Sequence, residues 1–417
     1  MLKMSGNTGR LIHKLALMHF SRNTTKITAQ PLLVPFINAS RTLYSKASLG
    51  LDNFETQKQR TSDQLSNLED KFKERMAEYI KDEKNMVFTE DLKNMVYLTN
   101  NDKDLELVIE MMKRFNKQNQ QLRFGNFKFG SIIMRMFYLL DKPQLAMECF
   151  KDEENFPGFF DQLITFQIYL DLLYENGMYK EVLENFLDIQ KKQLEGALYP
   201  RNSFVLALAA CYKLNTKETL DYALNIWNKS KEHGYFPTRR AVTFCAALAL
   251  NQGKPEVALE LVSSCKNQNY TTVRNLKVLA LVQMGRLEDA LVVLKSVLSI
   301  EVGSHTFNRD VLEALKKAIL ERDSPELKVE MKRVEELLLK QGNIDDKTLD
   351  DQLLSTIQKP PQPLSGRQQN DRGYGGQYNR GYGGQYDDRR NENRGYNQGR
   401  SSRPNFRRER PGLEDLV

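Results

Sequence analysis

The strongest constraint on this chain is a recurrence. Four pairs, Asn126-Phe127, Thr165-Phe166, Ser203-Phe204 and Thr243-Phe244, follow one another at intervals of 39, 38 and 40 residues, and Asn275-Leu276 follows 32 later. Each pair opens an apolar helix-like run and leads to a short turn: Asp141-Lys-Pro143, Glu175-Asn-Gly177, Leu214-Asn-Thr216, Gln252-Gly-Lys254 and Met284-Gly-Arg286. A second run follows each turn, with apolar residues three and four apart, as in Leu287, Ala290, Leu291 and Leu294. That spacing places them on one helix face. A unit of two helices cannot bury its apolar faces alone, so a fixed period of this length predicts a stacked array.

Small residues (Ala146, Ala223, Ala258, Ala290) recur where the two helices must approach closely. Pro143 and Pro255 stand at helix starts, where a missing N–H is no loss. Gly177, Gly253 and Gly285 suit left-handed turn positions. Upstream, Val87–Leu98 and Asp102–Phe115 form a more divergent pair; downstream, Arg309–Leu320 and Pro325–Gln341 read as two capping helices. The expected fold is all-α: a right-handed α-α superhelix, a solenoid of about six helical hairpins, with disordered N- and C-terminal segments. The expected boundaries are 1–45 for a targeting segment, 46–84 for a polar helical segment, 85–345 for the solenoid and 346–417 for an Arg/Gly/Tyr-rich tail.

Charge is distributed unevenly. Residues 1–51 hold seven Lys/Arg and no acid, residues 360–417 hold eleven Arg against seven acids, and the whole chain is +7. The remainder, 52–359, is therefore close to −4, and any anion site in it must be local. An acid-free start containing an amphipathic stretch, Arg10 to Phe20, reads as a mitochondrial matrix address, and Arg41-Thr-Leu-Tyr-Ser45 resembles a peptidase site. Its apolar run is too short and too charged for a membrane span, and no integral membrane segment is expected.

Enzymatic chemistry lacks its parts. The four cysteines (Cys149, Cys211, Cys245, Cys265) include no CxxC pair, and only His233 and His305 lie outside the first fifty residues. No P-loop, GxGxxG or HExxH motif occurs. Buried free thiols, no cofactor, no metal and no catalytic set are expected.

The order Thr165-Phe166…Asn176-Gly177…Val182-Leu183, repeated as Thr243-Phe244…Gln252-Gly253…Ala258-Leu259, resembles the pentatricopeptide repeat family. Phe127-Lys-Phe-Gly130, Cys211-Tyr-Lys-Leu-Asn215, Arg239-Arg-Ala241 and Ala247–Gln252 carry the likeness further, to a mitochondrial member of it. The likeness covers roughly residues 80–350 and leaves the tail out. It implies binding of organellar, single-stranded RNA and a part in the processing of mitochondrial RNA, mRNA included, through which the respiratory chain is served. It also implies that each repeat reads a base through the fifth residue of its first helix and the last residue of the repeat.

Mapped by that rule, Gln167 would pair with Pro200 and Val205 with Arg240, with Lys128, Cys245 and Lys277 at the other fifth positions. These are not the family's usual Asn, Thr or Ser with Asp or Asn, so base-specific reading by the usual code is not expected. The same mapping suggests a basic stripe of Lys128, Arg201, Arg239, Arg240, Arg274 and Lys277, which would track phosphates without reading sequence. In the tail, RGYGGQY is written twice, and Arg372, Tyr374, Arg380 and Tyr382 are its candidate RNA contacts. Guanidinium and phenol both stack on bases. The alternative is a protein-binding helical scaffold on the mitochondrial ribosome or an RNA-processing complex.

Overall fold

A computed structural model describes residues 42–82, 85–118, 127–299 and 305–358. Residues 1–41 of the expected targeting segment, 1–45, and the RGYGGQY repeats lie outside the described residues. After α1 (Lys46–Leu49), α2 (Leu51–Leu65) and α3 (Glu69–Lys81) comes a run of hairpins. They are α4 (Thr89–Leu98) with α5 (Asp102–Lys117), α6 (Gly130–Leu139) with α7 (Pro143–Lys151), and α8 (Leu163–Glu175) with α9 (Tyr179–Lys192). Next are α10 (Arg201–Leu214) with α11 (Lys217–Glu232), α12 (Arg239–Asn251) with α13 (Pro255–Ser263), and α14 (Thr271–Gln283) with α15 (Leu287–Leu298). The expected caps are α16 (Arg309–Arg322) and α17 (Pro325–Lys340), and they pack on α14 and α15 as one more hairpin of the array. The fold is therefore an all-α helical-repeat solenoid.

From α6 onward, the turn between the two helices of a hairpin is built on one left-handed residue. Gly177, Gly253 and Gly285 hold φ of 71, 66 and 73°, and Asp141, Asn215 and Asp323 take the same place at 51, 48 and 54°. Short amide and acid side chains tolerate this conformation through local hydrogen bonds. The residue before the turn links repeats. Asn176 Nδ2 donates to Asp141 Oδ1 at 2.8 Å, and Gln252 Nε2 donates to Asn215 Oδ1 at 2.8 Å. The Asn-Gly and Gln-Gly of the motif thus both turn the chain and fix the register of neighbouring hairpins.

First helices (α6, α8, α10, α12, α14, α16) pack on one another in order, and α7, α9, α11, α13 and α15 each wedge between two of them. The two classes bury different surfaces. In α11 the buried residues fall on one stripe: Leu220, Ala223, Ile226, Trp227 and Ser230. In α8 every residue from Thr165 to Tyr174 is buried, as is every one from Ser203 to Cys211 in α10 and from Ala241 to Leu250 in α12. Phe166, Phe204 and Phe244 are completely enclosed; at ~25 cal/mol per Å² each contributes about 2–4 kcal/mol. These rings are core.

A helix buried all round needs a cover on its second side, and the ends of the chain supply it. A short parallel pair, β1 (Phe307–Asn308) with β2 (Ile344–Asp345), leads into α18 (Leu349–Leu353), which packs on α12 and α14. Farther along, Ile357 bridges to Tyr44: Ser45 N donates to Ile357 O at 3.2 Å and Ile357 N to Leu43 O at 2.8 Å. Residues 43–48 and 344–357 thus form a clasp across the first helices. Both segment boundaries expected from sequence, 45 and 346, fall inside it.

Candidate nucleic-acid interface

The clasp divides the expected basic stripe into two groups. Arg240, at the start of α12, reaches up to the last turn of α18. Its guanidinium donates to Leu353 O at 2.6 Å, Gln352 O at 3.2 Å, and Ser355 O and Oγ at 2.7 Å each. Those carbonyls would otherwise end a helix unpaired. Burial, then the neighbouring charge of Arg239, pushes the Arg240 guanidinium down to about 10, so it stays charged at neutral pH.

Gln167 is buried and accepts from Asn202 Nδ2 at 2.7 Å. Arg274 is buried too, donating through Nη2 to Asn269 Oδ1 at 2.9 Å. These three side chains are occupied within the protein.

The other four are placed differently. Lys128 is exposed two residues before α6; Arg201 and Arg239 are exposed at the first positions of α10 and α12; Lys277 is half-exposed on α14. No carboxylate among the described residues pairs with any of them. A helix start already carries about half a positive charge, so an arginine there is repelled by its own helix and favours an anion. Arg239 lies 3.5 Å above the ring of Tyr270, which is 42% exposed. A guanidinium stacked on an open phenol is suited to receive a nucleobase beside it and a phosphate at its edge. The tail candidates Arg372, Tyr374, Arg380 and Tyr382 lie outside the described residues.

Sequence reasoning missed three participants. Arg309 begins α16 as Arg201 and Arg239 begin their helices, but Asp346 of the clasp neutralises it, with Nε at 2.7 Å from Oδ1. Its place after Asn308 was the available signal. Tyr270 had none beyond its position before α14. The third is Asp171, wholly buried beneath the clasp, whose Oδ2 accepts from Tyr138 Oη at 3.1 Å and which also accepts from the Tyr44 backbone N–H.

Burial, and then the nearby Glu175, raises the Asp171 carboxyl well above its ordinary 3.8 against the lowering effect of those two hydrogen bonds. A carboxyl with a raised folded-state pKa binds its proton more tightly when folded. Its contribution is full below 3.8 and is lost as pH climbs through the folded value. Thermal melts at about pH 5 and about pH 8 should therefore show a fall in Tm that Asp171→Asn reduces; an equal fall in both proteins would remove Asp171 as its source.

The three buried thiols are poor nucleophiles. Cys149, Cys211 and Cys245 are free and buried, and burial pushes Cys149 and Cys245 up to about 12. A thiol so raised is not a nucleophile near neutral pH. No described helix is long and apolar enough to cross a membrane.

Known proteins agree with the repeat architecture. The sequence is 30% identical over 325 residues to pentatricopeptide repeat-containing protein 2, mitochondrial, of Danio rerio, covering 76% of this chain and 82% of that one. The chain belongs to this family. The Mus musculus relative of the same name is 29% identical over 269 residues (64% of this chain, 69% of the relative), and the Homo sapiens one 26% over 324 (77% and 82%). No family profile matches the sequence.

Proposed function

We propose that this family member is a non-enzymatic mitochondrial protein that binds single-stranded RNA and acts in the maturation and processing of mitochondrial transcripts, and through them in respiratory-chain function. The carrying observation is the pair Arg201 and Arg239: exposed, without a carboxylate partner among the described residues, and at the positive ends of adjacent helices. Lys128 and Lys277 extend that cationic edge. The contact is to phosphate and stacked base, not to base edges, because Gln167, Arg240 and Arg274 are already engaged.

The test is ultraviolet crosslinking in mitochondria, with the full chain and with a chain ending at Lys359. The truncated chain keeps the clasp and should still recover mitochondrial RNA above background. Recovery by neither chain would overturn the proposal; recovery by the full chain alone would move binding to the tail.

A second reading has its own observation. The face formed by the first helices already holds peptide, the chain's own residues 344–357. A solenoid that binds peptide there suits a scaffold for a processing complex or the mitochondrial ribosome. Proteins that remain bound after RNase treatment of the crosslinked material would favour it.

A further inference from the structure

We infer that the mature protein begins no later than Leu43, so that the presequence is cut at or before the Thr42–Leu43 bond. The inference deepens the mitochondrial reading and rests on taking the acid-free start as an address.

Sequence alone allows later cuts. Arg41-Thr-Leu-Tyr-Ser45 has an arginine followed by an aromatic and a small residue, a pattern that permits cleavage after Tyr44. The fold excludes that bond. Leu43 is completely buried and Tyr44 is 4% exposed, both within the main core. Leu43 O is the acceptor for Ile357 N at 2.8 Å, and Tyr44 Oη donates to Asn202 O at 3.4 Å. The Tyr44 backbone N–H donates to Asp171, a carboxylate with no route to solvent.

A chain starting at Tyr44 would lose both the acceptor for Ile357 N and the wholly buried Leu43 side chain. One starting at Ser45 would also lose the buried Tyr44 ring and the bond from its hydroxyl to Asn202 O. Unpaired groups of this kind are costly to bury. A half-buried Thr42, by contrast, can end or be removed without disturbing any of these bonds.

The chemistry is ordinary hydrolysis by a processing peptidase. Water adds across one peptide bond, the carbonyl carbon keeps the hydroxyl as a carboxylate, and the released nitrogen becomes the new ammonium. Cut there, the first turn of the mature chain still closes onto Ile357. Both ends of the folded body are then locked by one contact.

The test is import of the full-length chain into isolated mitochondria, with amine labelling and mass spectrometry of the new N-terminal peptide. The expected first residue is Leu43 or one upstream of it. A first residue at Tyr44 or later overturns the inference while leaving the address reading intact. Imported protein that retains residues 1–41 uncut overturns the address reading, and the inference with it.

Discussion

Alanine at Lys128, Arg201, Arg239 and Lys277 together should weaken single-stranded RNA binding by roughly two orders of magnitude at physiological salt. Each phosphate contact releases about 0.7 counterion from a single strand, which at about 0.15 M salt is worth close to fourfold. Four contacts multiply to about 200-fold, and the slope of log affinity against log salt should fall by nearly three. The measurement is fluorescence anisotropy with an oligonucleotide over a salt series. All four side chains are exposed or half-exposed and without ion pairs among the described residues, so thermal stability should hold. Unchanged affinity and slope would mean that RNA, if bound at all, is held by other residues. Arg239→Lys alone is informative as well. It keeps the charge but loses the flat stack on Tyr270, so it should lower affinity without changing the salt slope.

The parts of the fold readable from sequence are those set locally. The left-handed turn residue, the small residue at the helix contact and the proline at a helix start each act within a few positions, and they recur. That is why α6 to α15 follow from the period. The step from two capping helices to one more hairpin is obscured because the pair Thr306-Phe307 stands before α16 instead of inside it as in α8, α10 and α12, and the Asn308 that follows bonds back to Asn275. The clasp was hidden for a different reason. Its contacts join residues such as Ser48 and Ile357, 309 positions apart, and no periodicity records such a pairing. With the clasp hidden, Gln167, Asp171, Arg240 and Arg274 look like a polar face open to solvent or RNA. Covered by it, or packed within the array, they are buried polar groups whose hydrogen bonds are internal.

That difference makes Arg240 the residue to separate the two surfaces. Arg240→Ala should lower stability by about 2–4 kcal/mol, since it removes charged hydrogen bonds to the end of α18 and leaves the carbonyls of Leu353 and Ser355 short of a donor. In Tm this is roughly 5 °C or more. The fall should be incomplete because the clasp has other anchors: Tyr212 Oη donates to Asp350 at 2.7 Å, Asn308 Nδ2 to Lys347 O at 2.9 Å, and Leu349 N to Asp310 Oδ2 at 2.9 Å. Amide exchange should therefore quicken at residues 349–357 while the hairpins keep their protection. Affinity for RNA should stay within about twofold, the reverse of the result for Arg201 and Arg239. A loss of RNA affinity in Arg240→Ala equal to theirs would show that the clasp opens when RNA binds. Unaltered exchange at 349–357 would show that the other anchors hold the clasp without Arg240. One arginine at the start of α12 faces outward to solvent and the next faces inward to the clasp, and these two substitutions tell them apart.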